Sequence, residues 1–314
     1  MDRNRPKRLL LIDGNNYINR AYHATPKKLT NKQGVPTNAV MGFINILMSD
    51  LFKIRPTHVC VVWDKHGTKE KYNWRLDVYP KYKANRKDWK DKTDKKTLER
   101  LRQLKEMHDQ QPLLRKVLKA MGIRNLRKTG VEADDLMGTL AVEYAECGFQ
   151  VIISSNDKDM AQVVSPLIHI QKPDRTMLDP KGVFREYGVR PSQIVEMLAL
   201  AGDSVDNIVG IKGCGYKTAA KLLAKHGSMK KVIKNRKQES PAFIRECEKV
   251  LEDLKVTPSI IRLKLDTTHK VTAKELRFPN KAYDQDRLGS ICAKYDMKKT
   301  FLQISSAYHK WMNS

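Results

Sequence analysis

Cysteine is scarce and scattered in this 314-residue chain. Cys60, Cys147, Cys214, Cys247 and Cys292 form neither a Cys-x-x-Cys pair nor a Cys/His cluster. That excludes a zinc site and a disulfide frame. Long apolar runs are also missing: no stretch approaches the length that crosses a bilayer. The run after "MDRNRPKR" is too short for a secretory leader, so a cytoplasmic protein with no membrane partner is expected. Acids are the third shortage. Lysine and arginine number 60 against 35 acids, a formal charge of +25, so the expected partner is a polyanion. Hydrophobic residues at 40% are enough to argue against disorder, and the length suits one large domain plus a smaller one.

The scarce acids are not spread evenly. "RLLLID" (8–13), "HVCVVWD" (58–64) and "QVIISS" (150–155) read as buried strands. Helical spacing of Ala39, Val40, Phe43, Ile44, Leu47, Met48, Leu51 and Phe52 predicts a helix between the first two. Leu113, Leu114, Val117, Leu118 and Met121 predict a second, closed by Gly122, and Glu132 to Cys147 a third. This β/α alternation predicts a parallel sheet flanked by helices. Asp13 and Asp64 end two of the strands, and Asp157 and Asp159 follow the other, so they should meet at the carboxyl edge, where ligands bind. Glu132 and Asp135, three apart, should share a helix face with Asp134 beside them, and Asp203 and Asp206 repeat the spacing. Nine carboxylates on one edge cannot all stay ionised without cations. Hard divalent ions with oxygen ligands are the simplest neutralisers, and two would account for so many acids.

Two further stretches suit a polyanion. "GIKGCGYKTA" (210–219) is not a Walker loop, because Tyr216 separates Gly215 from Lys217. It reads as a tight glycine turn opening a helix over Tyr216–Lys225, either a phosphate grip through Gly213, Gly215, Lys217 and Thr218 or an ordinary helix–helix turn. The segment 79–105 holds eleven Lys/Arg against four acids, with Tyr79, Tyr82 and Trp89 interleaved. Lys81, Lys87 and Lys90 with Tyr82 and Trp89 suit single-strand binding; a solvated loop is the other reading.

Taken together, "LIDGNNYINRAYHA", "GVPTNAVMGFINIL", "WRLDVYPKYKANR", "GVEADDLMGTLA", "VIISSNDKDMAQVV" and "GDSVDNIVGIKGCGYKTAAKLL" resemble the 5′-nuclease family. That family comprises flap endonucleases and the 5′→3′ exonuclease domain of bacterial DNA polymerase I. The motifs occur in family order over residues 8–225, and the loop from Asp64 to Trp74 is longer than the family pattern. The resemblance implies an α/β, parallel-sheet (PIN-like) nuclease domain over 5–185, with a helical arch at 75–110. A helical helix–three-turn–helix DNA-binding domain over 186–275 and a C-terminal segment, 276–314, packing on the domain complete the expectation. It implies a monomeric, stand-alone enzyme of the bacteriophage type.

By the same resemblance, Asp13, Asp64, Glu132, Asp134 and Asp135 hold the catalytic Mg2+ or Mn2+, and Asp157, Asp159, Asp203 and Asp206 a second, weaker metal region. Arg75, Lys83 and Arg86 match basic catalytic positions at the base of the arch, and Tyr82 its neighbouring aromatic. A potassium ion would sit at the helix–hairpin–helix. The implied substrates are DNA with 5′ flaps, nicks, gaps or free 5′ ends, and RNA–DNA hybrids, in primer or flap removal during replication or repair. Three other readings compete. A non-catalytic DNA-structure binder has no use for nine acids, and a phosphatase using Asp13 wants Asp-x-Asp where this chain has "DGN". A ribonuclease acting on RNA–DNA hybrids with the same metal core is the closest rival.

Overall fold

The structure is a computed structural model describing residues 6–24, 29–65, 73–86 and 94–312. Its centre is a six-stranded sheet: β1 (Arg8–Asp13), β2 (His58–Val62), β3 (Arg124–Leu126), β4 (Gln150–Ser154), β5 (Ile168–Gln171) and β6 (Met177–Leu178). The strand order is β3-β2-β1-β4-β5-β6; the first five run parallel and β6 is antiparallel to β5. The three predicted strands are present. Sequence periodicity did not announce β3, β5 and β6, which at three, four and two residues are too short to show it.

Alternation along the central strands divides the apolar interior in two. Leu9, Leu11, Cys60 and Val62 face one side; Leu10, Ile12, Val59 and Val61 face the other. On the second side pack α1 (Gly14–Ala24), α2 (Asn38–Ile54) and the C-terminal half of a long helix, after the short α3 (Arg75–Val78). That long helix, α4 (Lys95–Ala120), is capped by the Asp94 side chain, which accepts the Thr97 N–H at 3.0 Å. Its first turns set Leu98, Leu101 and Leu104 among charged residues and bury none of them fully, and spacing predicted only the end at 113–121.

On the first side lies α5 (Ala133–Glu146), joined by a helical group that shares its core. The group comprises α6 (Pro180–Tyr187), α7 (Ile194–Ala201), α8 (Tyr216–His226), α9 (Met229–Lys234), α10 (Pro241–Lys249) and α11 (Leu251–Ile261). After α12 (Ala273–Leu276), the helices α13 (Gln285–Lys294) and α14 (Lys298–Met312) return to the α2/α4 side, burying Leu288, Ile304 and Tyr308 there. No described helix is long and apolar enough to cross a membrane.

Candidate metal centre and substrate cleft

Parallel registry brings the strand-end acids together. Asp13 pairs with Val62 of β2, and Ile12 with Ser154 of β4, so Asp13, Asp64 and Asp157 leave the sheet at one edge. Gly14 sits so close to Trp63 that a Cβ there would meet the indole at 2.5 Å, which fixes the turn after Asp13 against the end of β2. A cleft of about 770 Å³ opens at this edge, lined by Asp13, Asp64, Glu132, Asp134, Asp157, Asp203 and Asp206. Asp159 joins from its floor: carboxylate oxygens of Asp159, Asp203 and Asp206 all lie within 4.8 Å of one another. Eight of the nine predicted acids therefore converge.

The ninth does not. Asp135 is buried, and its two oxygens take a bidentate pair from Arg75 (2.8 Å each), with the Lys264 N–H at 2.9 Å as a third donor. It holds α3 to α5 and to the end of α11, whose Ile260 carbonyl accepts from Arg75 Nε at 2.8 Å. Two expectations are corrected together: the Asp135 carboxylate turns from the cleft to three donors, and Arg75, only 2% exposed, is engaged in that buried pair. The physical reason is that Glu132 is the N-cap of α5, with extended backbone (ψ 150°), so helical i, i+3 spacing does not start from it. Asp134 turns to the cleft and Asp135 inward.

Tyr82 is a third correction. Its ring is buried rather than offered to a base, and its hydroxyl lies 2.9 Å from Glu132 Oε2 and 3.2 Å from Asp206 Oδ2. Beside it Lys83 Nζ lies 2.6 Å from Glu132 Oε1 and 3.7 Å from Asp206 Oδ1. Lys83 holds φ +53°, a conformation non-glycine residues rarely take, and its N–H donates to the Asp206 carbonyl at 2.9 Å. Asn85 donates to the Ser204 carbonyl and Asn207 to that of Lys81, both at 2.7 Å, so the segment 81–85 is laced to the loop carrying Asp203 and Asp206. That loop is itself clamped, since a Cβ on Gly210 would lie 2.2 Å from the Gly202 nitrogen. Arg86 ends the 3-10 turn Ala84–Arg86, its side chain lying outside what the structure describes, and Lys81 is exposed. Lys87, Trp89 and Lys90 lie outside the described residues.

The cleft is short of positive charge. Burial, with repulsion from Asp64 and Asp157, pushes the Asp13 carboxyl up to about 6, although the Asn16 N–H and the Ser155 hydroxyl each donate to it at 2.9 Å. Asp134 is pushed well above the carboxylate range by burial, then by Asp157, Asp13 and Asp64. Asp159 rises to about 7 through burial and Asp157. Against burial, Glu132 is held low by Lys83 and Arg75, and Asp203 by Lys158. Asp159 Oδ1 is buried with no hydrogen bond beyond an ion-pair contact from Lys158 Nζ at 3.3 Å, and Asn16 Oδ1, on a cleft-lining residue, is buried and accepts none. An all-oxygen donor set with unsatisfied acceptors fits a hard divalent cation. Asn15 and Asn16, Ser155 and Lys158 are functional neighbours that pattern alone does not single out. Their available signal was adjacency to Asp13 and Asp157 in "DGNN" and "SSNDKD".

Between α7 and α8 the chain makes the predicted turns. Lys212, Gly213, Gly215, Lys217 and Thr218 are exposed, and Gly213 takes φ +82°. Gly215, as N-cap of α8, leaves the first-turn N–H groups without a side-chain cap, open to an incoming anion.

Two family models match in tandem: "5′-3′ exonuclease, N-terminal resolvase-like domain" over residues 8–188 and "5′-3′ exonuclease, C-terminal SAM fold" over 189–284. A 5′-3′ exonuclease of Aquifex aeolicus is 31% identical over 305 residues, covering 97% of each chain. DNA polymerase I of Mycobacterium tuberculosis is 36% identical over 240 residues, 74% of this chain but 24% of the polymerase. Among solved structures, a zinc-bound T5 5′-exonuclease superposes with a TM-score of 0.67 at 20% identity, covering 94% of this chain and all of that one. Flap endonuclease-1 from Methanococcus jannaschii gives 0.61 at 16% identity, covering 98% and 94%.

Proposed function

The chain belongs to the 5′-3′ exonuclease family and is a nuclease, and from that premise we propose how its cleft works. It hydrolyses phosphodiester bonds of DNA near 5′ ends and at the single/double-strand junctions of flaps, nicks and gaps, using magnesium or manganese. The observation that carries this reading is the convergence of eight carboxylates from separate segments on one sheet edge, in an otherwise basic protein. Asp13, Asp64, Glu132 and Asp134 would hold the catalytic ion, and Asp157, Asp159, Asp203 and Asp206 a second. When bound, divalent ions supply an activated water and neutralise charge on the transferred phosphate. The chain's own residues do the rest. Asn15 and the Ala133 N–H orient Asp64, the latter at 2.7 Å, and Asn73 orients Glu132 at 2.8 Å. The exposed turn before α8 grips duplex phosphates.

The test is a 5′-labelled flap oligonucleotide incubated with and without magnesium, with the products sized. Junction-length and short 5′ fragments are expected with magnesium, and none in excess chelator. Undiminished cleavage in chelator, or attack from the 3′ end alone, would overturn the reading. A parallel RNA–DNA hybrid measures how far the substrate range extends.

Lys83 spans both groups of acids, so once ions neutralise them its ammonium is placed to meet charge on the phosphate. Lys83→Ala is expected to lower the single-turnover rate by roughly 10²–10³, as loss of a preorganised electrostatic donor does. DNA affinity should change by less than about threefold, since neighbouring cations maintain the grip. A wild-type single-turnover rate with weakened binding would reassign Lys83 to grip.

A further inference from the structure

A second ammonium is built into the acid cluster. Lys158 stands between Asp157 and Asp159, at the start of the 3-10 turn Lys158–Val163. Its Nζ is 2.7 Å from Asp203 Oδ2 and 3.3 Å from Asp159 Oδ1. Those are two of the three carboxylates whose oxygens lie within 4.8 Å of one another. A divalent ion using these oxygens would therefore sit almost on top of the ammonium. Two cations that close in a half-buried setting repel strongly, since little water separates them. The lysine side chain is 25% exposed and lines the cleft, so its head can swing toward a phosphate entering there.

We propose that Lys158 is the resident cation of this part of the cleft: without DNA it closes Asp159 and Asp203 to a second divalent ion, and an incoming phosphate draws it off and opens the site. The inference rests on the reading that the cleft acids hold divalent ions. It makes substrate and second ion bind cooperatively, since each neutralises what the other leaves exposed. Release of the lysine costs little once a phosphate is present, because one anionic oxygen replaces another.

The probe is manganese alone, titrated into the full chain, with free Mn2+ counted by electron paramagnetic resonance. Wild type, Lys158→Met and Lys158→Arg are compared without DNA, each checked for an unchanged melting temperature. Lys158→Met is expected to take up one more ion, or to bind its weakest ion about tenfold more tightly, than wild type. Lys158→Arg, which keeps the charge, should match wild type. Adding a 5′-flap oligonucleotide with phosphorothioate linkages at the junction should tighten the last ion about tenfold in wild type and little in Lys158→Met, since the phosphate then does what the substitution did. Equal ion counts and affinities in wild type and Lys158→Met would overturn the proposal while leaving the metal reading standing. Absence of Mn2+ binding in both proteins would overturn the metal reading and the proposal with it.

Discussion

Replacing Asp134 by asparagine is expected to abolish cleavage while DNA stays bound as tightly as before, or more tightly. Asp134 occupies the first turn of α5, and the charges acting on it are those of Asp157, Asp13, Asp64 and Glu132, which places it centrally among the cleft acids. The amide preserves size but removes the charge that a cation needs, and a lost metal interaction of several kcal/mol corresponds to a rate lower by about 10³-fold or more. Binding goes the other way, because one negative charge beside the phosphate has gone. Single-turnover cleavage together with fluorescence anisotropy in calcium separates the two effects. Near-normal turnover would move the chemistry to other acids.

Arg75→Met, by contrast, should damage the fold before the chemistry. The guanidinium forms a bidentate pair with Asp135 and reaches the carbonyls of Ile260 and Arg262 at 2.8 and 3.4 Å, all away from solvent. Removing one member of a buried pair leaves its partner's charge uncompensated, at a cost of about 3–5 kcal/mol. For a chain of this length that lowers the melting temperature by roughly 5–8 °C. Arg75→Met/Asp135→Leu should recover much of the loss, because a buried pair replaced as a whole by apolar groups is often neutral. Calorimetry on both variants decides. A melting temperature within about 1 °C of wild type, with cleavage lost, would return Arg75 to the substrate.

The contrast between these two aspartates marks how far the sequence could be read. Asp13 and Asp64 were legible because a buried strand ending in a carboxylate leaves it at the sheet edge, and parallel strands share that edge. Asp203 and Asp206 were picked out by the i, i+3 spacing they share with Glu132 and Asp135. Asp134 and Asp135 are neighbours in "EADD", and which of them turns inward depends on Arg75, sixty positions away, and on carbonyls at the end of α11. No local pattern carries that. Tyr82 failed similarly: an aromatic between lysines reads as a stacking platform until Glu132 and Asp206 are found at its hydroxyl. The strands β3, β5 and β6 went unread because their few residues gain stability from pairing, not from periodicity.

The two family models meet between residues 188 and 189, yet Val183, Val189 and Ile194 lie in one apolar body with Leu9 and Leu11 of the sheet and Ala219 of α8. A joint in the hereditary record is here no joint in the material. Exchanging the second half for that of a distant cousin would require both halves to agree again on every side chain at the seam. The acid-lined edge and the exposed turn before α8 therefore keep their distance through a shared interior rather than through a linker.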